Sequence, residues 1–252
     1  MTDTLIRYAQ QYETVDFLNG DPSWFMHQVE GRENQETMAF LASCLSYGSR
    51  KQFMPKIKQL LDISEGKPYE WVRNGGYRKM FCPDDGNCFY RLYTNATMCR
   101  FLTAYRQLLT DYRTLGDYVR PNASDGFGAV KAICDYFGGK GVSVVVPKDT
   151  QSACKRVCMF LRWMVRSDSP VDLGLWADFI DRRTLIIPLD THVLAEAMRL
   201  GLLNSRNATM SAAIKLTESL AKIFPDDPLR GDFALFGYGV KATSTTVGCT
   251  TL

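Results

Sequence analysis

Two helix beginnings constrain this 252-residue chain more than any other feature, and both lie between Ser152 and Leu203. From Ser152 to Arg166 the pattern is amphipathic: at about 100° per residue Ala153, Val157, Phe160, Leu161 and Met164 share one side, and Lys155, Arg162 and Arg166 the other. That spacing predicts a core-facing stripe backed by a basic stripe. After a loop, Pro188-Leu189-Asp190-Thr191-His192 precedes Val193, Leu194, Ala197 and Met198. Asp190 therefore stands where a helix N-cap belongs, with its carboxylate accepting from free backbone amides.

The remaining elements also read as helices. Glu36 to Tyr47 is apolar on every side and belongs at a core centre. A polar break, Gly48 to Gln52, separates it from a helix carrying Phe53, Ile57, Leu60 and Leu61. Residues 1–19 are helical in pattern, through Leu5, Tyr8, Ala9 and Tyr12, and His27 reads as a packed histidine. Residues 65–88 are loop-rich, and 89–115 repeat apolar residues at three and four. Asp125 opens a helix that Gly138-Gly139 ends, and Val142 to Val146 predicts one isolated extended arm. A helix over 207–224 follows. Asp227-Pro228 then reads as an N-cap with proline at the first helical position, in a helix that Gly239 stops before a loose tail from Ser244 to Leu252. The expectation is an all-α chain forming one unit over 1–252, with 125–203 holding a helical hairpin and the two marked helices.

Charge narrows the partners. Thirty basic against 27 acidic residues leave a net charge of +3, too little for a general nucleic-acid coat. A local cluster remains at Lys148, Lys155, Arg156, Arg162 and Arg166, which is also what an ordinary charged helix face looks like. Eight cysteines without a signal-peptide pattern predict free thiols in a reducing cytoplasm, acting as small buried apolar residues. Cys82, Cys88 and Cys99 are loosely spaced, and only Cys249 lies near the C-terminus, so neither a metal nor another cofactor is expected. No apolar run reaches membrane-spanning length.

The segments SACKRVCMFLRWMVR (152–166), PLDTHV (188–193) and DFALFGYGV (232–240) resemble those of a bacterial family known as domain of unknown function 2400, over nearly the whole chain. The first two also resemble, more distantly, the helix-hairpin-helix GPD superfamily of DNA glycosylases. In that superfamily a lysine opens the helix after the hairpin and an aspartate sits in a V-D-T-H or V-D-S-R sequence at the next helix start. Lys155 and Asp190 match those positions. This chain departs from the usual L-P-G-V-G-x-K-T-A hairpin, having Gly141 to Gln151 ahead of the lysine without paired glycines. Asp190 follows Lys155 by 35 residues, which is nearer the archaeal 8-oxoguanine branch and points to an oxidised purine.

The resemblance implies a two-lobed helical bundle with a cleft, and a base-excision DNA glycosylase with β-lyase activity using Lys155 and Asp190. It implies double-stranded DNA with a flipped base as partner of a monomer. Lys148, Arg156, Arg162, Arg50 and Gln52 are then DNA contacts. Ser49, Arg50 and Gln52 are candidates for a wedge in the gap left by the flipped base, or else form a solvated turn. Trp163, Trp176, Phe160, Tyr47 and Tyr238 are candidate pocket aromatics, and His192 packs under the Asp190 cap or orients its carboxylate. The other readings left open are a catalytically silent nucleic-acid-binding module and a protein-interaction scaffold of the same fold.

Overall fold

The computed structural model describes residues 1–247, with side chains through Gly239. Helices dominate it. α1 (Thr2–Tyr12) is followed by two short 3-10 segments, then by α2 (Arg32–Leu45) and α3 (Arg50–Ile63). In α2 every residue from Glu36 to Leu45 is buried, which is why its sequence has no polar face. Within the 3-10 segment Pro22–Gln28, the His27 ring donates to the Val171 carbonyl at 2.9 Å, so this histidine is a packing residue.

The loop-rich stretch contains a short α4 (Pro68–Arg73) that the sequence reading missed, because six residues starting on proline carry too little periodicity. Residues 89–94, expected as helix, belong instead to a hairpin of β1 (Cys88–Tyr90) and β2 (Tyr93–Thr94), with Tyr90 opposite Tyr93. Thr94 then caps α5 (Asn95–Tyr112) by accepting from the Thr97 amide. α6 (Leu115–Asn122) and α7 (Gly126–Gly138) follow, the latter capped by Asp125 as anticipated.

Val142 to Val146 is a turn rather than an extended arm. The amides of Val145 and Val146 both donate to the Val142 carbonyl, while Val142, Val145 and Val146 are buried. Here burial of three valines, not strand propensity, explains the β-branched run. α8 (Lys155–Val165) comes next, then α9 (Thr191–Arg199), α10 (Met210–Ala221) and α11 (Arg230–Val247). Between α8 and α9 the chain turns back on the end of α8: the amides of Leu173 and Gly174 donate to the Trp163 carbonyl, and Trp176 N to the Met164 carbonyl.

Two expectations near the C-terminus are corrected, the stop at Gly239 with the loose tail after it and the cap at Asp227. Gly239 does not stop α11, which runs on to Val247, so residues 244–247 of the supposed tail are helical; the rest of that tail, Cys249 included, lies outside the described residues. Asp227 does not cap α11, because its carboxylate is taken by the Arg166 guanidinium. Gly237 is glycine for packing, since a Cβ there would sit 2.2 Å from the Tyr12 ring where α1 crosses α11.

The main apolar cluster extends from Phe25 to Leu235, with Phe40 at its middle against Phe101, Tyr105, Phe137 and Phe160. A smaller cluster joins α1 to α11 through Leu5, Tyr8, Ala9, Phe224 and Ala234. Of the described cysteines, 44, 99, 134, 154 and 158 are buried, whereas Cys82 and Cys88 are exposed. Among the described residues no helix is long and apolar enough to cross a membrane, and no group of three His, Cys, Asp or Glu could hold a metal ion.

The polar side of α8 is the largest surprise. Arg162 and Arg166 are buried, 3% and 1% exposed, so the expected outer basic stripe does not exist at those positions. Arg162 pairs with Asp172 and Asp232; Arg166 pairs with Glu13, Asp172 and Asp227. A helical wheel cannot distinguish a basic face bathed in water from one facing carboxylates on other elements.

Candidate active site

The α2–α3 break, the start of α8, the start of α9 and α11 converge, together with residues 17–22, on one open cavity of about 1030 Å³. Asp190 enters it as the N-cap of α9. Its Oδ1 accepts from the amides of His192 at 2.9 Å and Val193 at 3.0 Å, so one oxygen fixes the side chain. The other, Oδ2, lies 3.7 Å from Lys155 Nζ. Both side chains remain reachable from solvent, at 32% exposure for Lys155 and 35% for Asp190.

Lys155 is the first residue of α8 because Cys154, just before it, has φ +46°. A left-handed cysteine cannot continue a helix backwards, so α8 starts three residues later than its amphipathic pattern suggests. The thiol of Cys154 is 3.9 Å from that of Cys134 on α7, which ties the turn to the core. No side chain caps the α8 N-terminus.

A second carboxylate shares the cavity. Asp232, in the first turn of α11, accepts through Oδ2 from Arg162 Nη1 at 2.5 Å. Burial pushes its carboxyl up and Arg162 pulls it back; the Asp190 charge then raises it and Lys155 lowers it, as a neighbour of both must feel. The sequence reading missed Asp232 because nothing in DFALFGYGV marks an acid as facing a lysine 77 residues earlier.

Of the residues expected at the site, Lys155, Asp190, Arg156, Arg50, Tyr47 and His192 line this cavity. Arg156 donates to the Cys44 carbonyl at 3.0 Å, to the Tyr93 hydroxyl and to the Val144 carbonyl at 3.3 Å, so it also binds the hairpin to α2. Arg50 is half exposed and pairs with Asp21 at 3.2 Å. His192 does not pack beneath the cap: its side chain is exposed, and its contribution to Asp190 is its backbone amide.

Arg162 also touches the cavity, but its guanidinium is spent on two carboxylates, which corrects its placement as a solvent-facing contact. Lys148 and Gln52 are exposed and do not line the cavity. Trp163 and Trp176 are corrected as pocket walls. Trp163 is fully buried, and Trp176, 2% exposed, donates its Nε1 to Glu36 at 2.8 Å. Phe160 is core, and Tyr238 packs on Tyr8 beside Arg199. The aromatic walls besides Tyr47 are Phe17, Phe53 and Phe236; Phe17 and Phe236 meet edge to face at 5.1 Å. Phe236 was visible in sequence only as part of a packing face.

A family model described as a protein of unknown function, DUF2400, matches residues 21–241. The chain belongs to that family. No match to a curated protein or to a solved structure accompanies it. For a DUF2400 member, the cavity is therefore the main guide to chemistry, and all of its lining falls inside the matched span except Phe17.

Proposed function

We propose that this chain is a DNA base-excision glycosylase with β-lyase activity, built as a two-lobed helix-hairpin-helix fold in which α7, the following loop and α8 form the hairpin. The observation that carries the reading is the 3.7 Å approach of Lys155 Nζ to Asp190 Oδ2 at the wall of an open cavity. Two helix starts far apart in sequence have been brought together with one cation and one anion facing the same space.

That pair suits N-glycosidic cleavage. As the C1′–base bond breaks, positive charge grows on the sugar, and a carboxylate held by two backbone amides is a fixed counter-charge for it. The neutral amine of Lys155 would attack C1′, and the N–C1′ bond forms while the base leaves with the bonding pair. Loss of a proton from nitrogen and opening of the sugar ring give the Schiff base. Removal of a C2′ proton then permits β-elimination of the 3′ phosphate. Asp190 Oδ2, 3.7 Å from Nζ, would accept the proton that the lysine must shed. The target base has to leave the stack to reach this cavity, whose walls supply Tyr47, Phe17 and Phe236 for its faces.

Borohydride trapping tests the reading. Wild-type protein should become covalently joined to duplexes bearing a damaged base, with oxidised purines first on the panel, and Lys155→Gln should abolish the adduct. Trapping that persists in Lys155→Gln would move the nucleophile elsewhere. Salt-sensitive DNA binding with no excision of any lesion would instead identify a silent binding module.

A further inference from the structure

The β1–β2 hairpin stands beside the cavity and has no part in the chemistry above. Its two-residue turn is Arg91-Leu92, closed by the Tyr90–Tyr93 pair. Arg91 has φ +52°, at the first turn position, where a II′ turn takes glycine. An arginine there holds a strained backbone at an exposed tip, and Leu92 next to it is 62% exposed.

The hairpin is nevertheless fastened firmly. Tyr90 donates its hydroxyl to the Tyr47 carbonyl, and Tyr93 donates to the Cys44 carbonyl at 3.0 Å. The Arg91 guanidinium lies 4.9 Å from the Tyr47 ring and closes over Gly48, where a Cβ would come within 2.5 Å of Nη1. Gly48 is thus glycine both for its φ of +86° and for this crossing. Tyr47 and Gly48 line the cavity, so the hairpin tip is anchored at the cavity's edge. Exposed Arg50 and Lys51 stand on the same α2–α3 break.

We infer that Leu92 is the wedge that enters the duplex when the target nucleotide leaves it, with Arg91 holding the tip against the α2–α3 break. An exposed leucine next to Arg91 matches a duplex in chemistry: apolar between the stacked bases, anionic along the backbone. Water alone would favour neither a leucine tip nor a strained arginine beneath it. This assigns the wedge to the hairpin rather than to Ser49, Arg50 or Gln52, and it rests on the glycosylase reading.

A wedge matters only where stacking and pairing must be broken, so the substrate pair that tests it is one oxidised purine placed either paired in a duplex or unpaired in the same single strand. Leu92→Ala should lower the borohydride-trapping rate on the duplex by about tenfold and leave the single-strand rate within about twofold. Arg91→Gly should show the same duplex-selective loss without a fall in thermal stability, because glycine relieves the turn. Equal rates for Leu92→Ala and wild type on both substrates would overturn the inference, as would equal loss on both, which would make Leu92 a folding contact. If the wild-type protein traps neither substrate, the glycosylase reading itself fails.

Discussion

Arg166 meets Asp227 side-on: Nε lies 3.0 Å from both carboxylate oxygens and Nη2 lies 2.8 Å from Oδ2. Glu13 and Asp172 occupy the rest of the guanidinium. Burial opposes its charge, and the carboxylates around it more than restore it, raising its pKa further. Arg166→Met leaves three acids without their shared cation, and the expected loss is about 3–5 kcal/mol of unfolding free energy. Guanidinium unfolding measures it; a loss below about 1 kcal/mol would show the network to be dispensable.

Asp190 has two separable duties. Asparagine is as good an N-cap as aspartate, so Asp190→Asn should unfold within a few tenths of a kcal/mol of wild type, while Asp190→Ala should lose about 1 kcal/mol. Both should suppress the proposed base excision, because only the carboxylate charge faces Lys155 Nζ. Urea unfolding beside an excision assay separates the cap from the chemistry.

Glu36 makes stability depend on pH. Its carboxylate is buried and accepts from Trp176 Nε1, Leu115 N and Gly116 N. Burial outweighs those donors and pushes it up from 4.5 to about 7. The folded state therefore holds this proton more tightly than the unfolded chain does. The resulting stabilisation is complete below 4.5 and is lost as pH rises through 7, by up to about 3 kcal/mol. Denaturation midpoints of wild type against Glu36→Gln from pH 4 to pH 8 check it, and only wild type should show this slope.

Gly126, at the start of α7, leaves no space for a side chain. A Cβ there would lie 2.4 Å from the Thr184 carbonyl oxygen and 2.8 Å from the Leu185 Cα, both backbone. Gly126→Ala should cost about 1–3 kcal/mol despite alanine's better helix propensity. Thermal unfolding reads the sign: a stabilised variant would mean that the 182–185 segment yields freely.

Legibility differed by the kind of interaction. Helices with one apolar side, such as α5 and α10, could be read because burial alone sets their period. The caps at Asp125 and Asp190 could be read because they are local. What depended on distant partners could not. Arg162 and Arg166 looked like a wet face because their acids come from other elements, and Asp232 gave no sign of facing Lys155. The hairpin was hidden because Phe89, Leu92 and Tyr93 also fit a helical spacing, and its turn lacks the glycine or asparagine that would announce it.

The backtracking of residues 173–176 along the last turn of α8 bears on what the interval from Lys155 to Asp190 can mean. Much of that interval is a detour that covers Trp163 and delivers Trp176 to Glu36, and only its final step sets where Pro188 and Asp190 arrive. The detour is itself held in place, since Asp172 within it pairs with both Arg162 and Arg166. Counting amino acids between the lysine and the aspartate thus measures a covering loop held by its own buried contacts, and says little about which base the proposed glycosylase would remove.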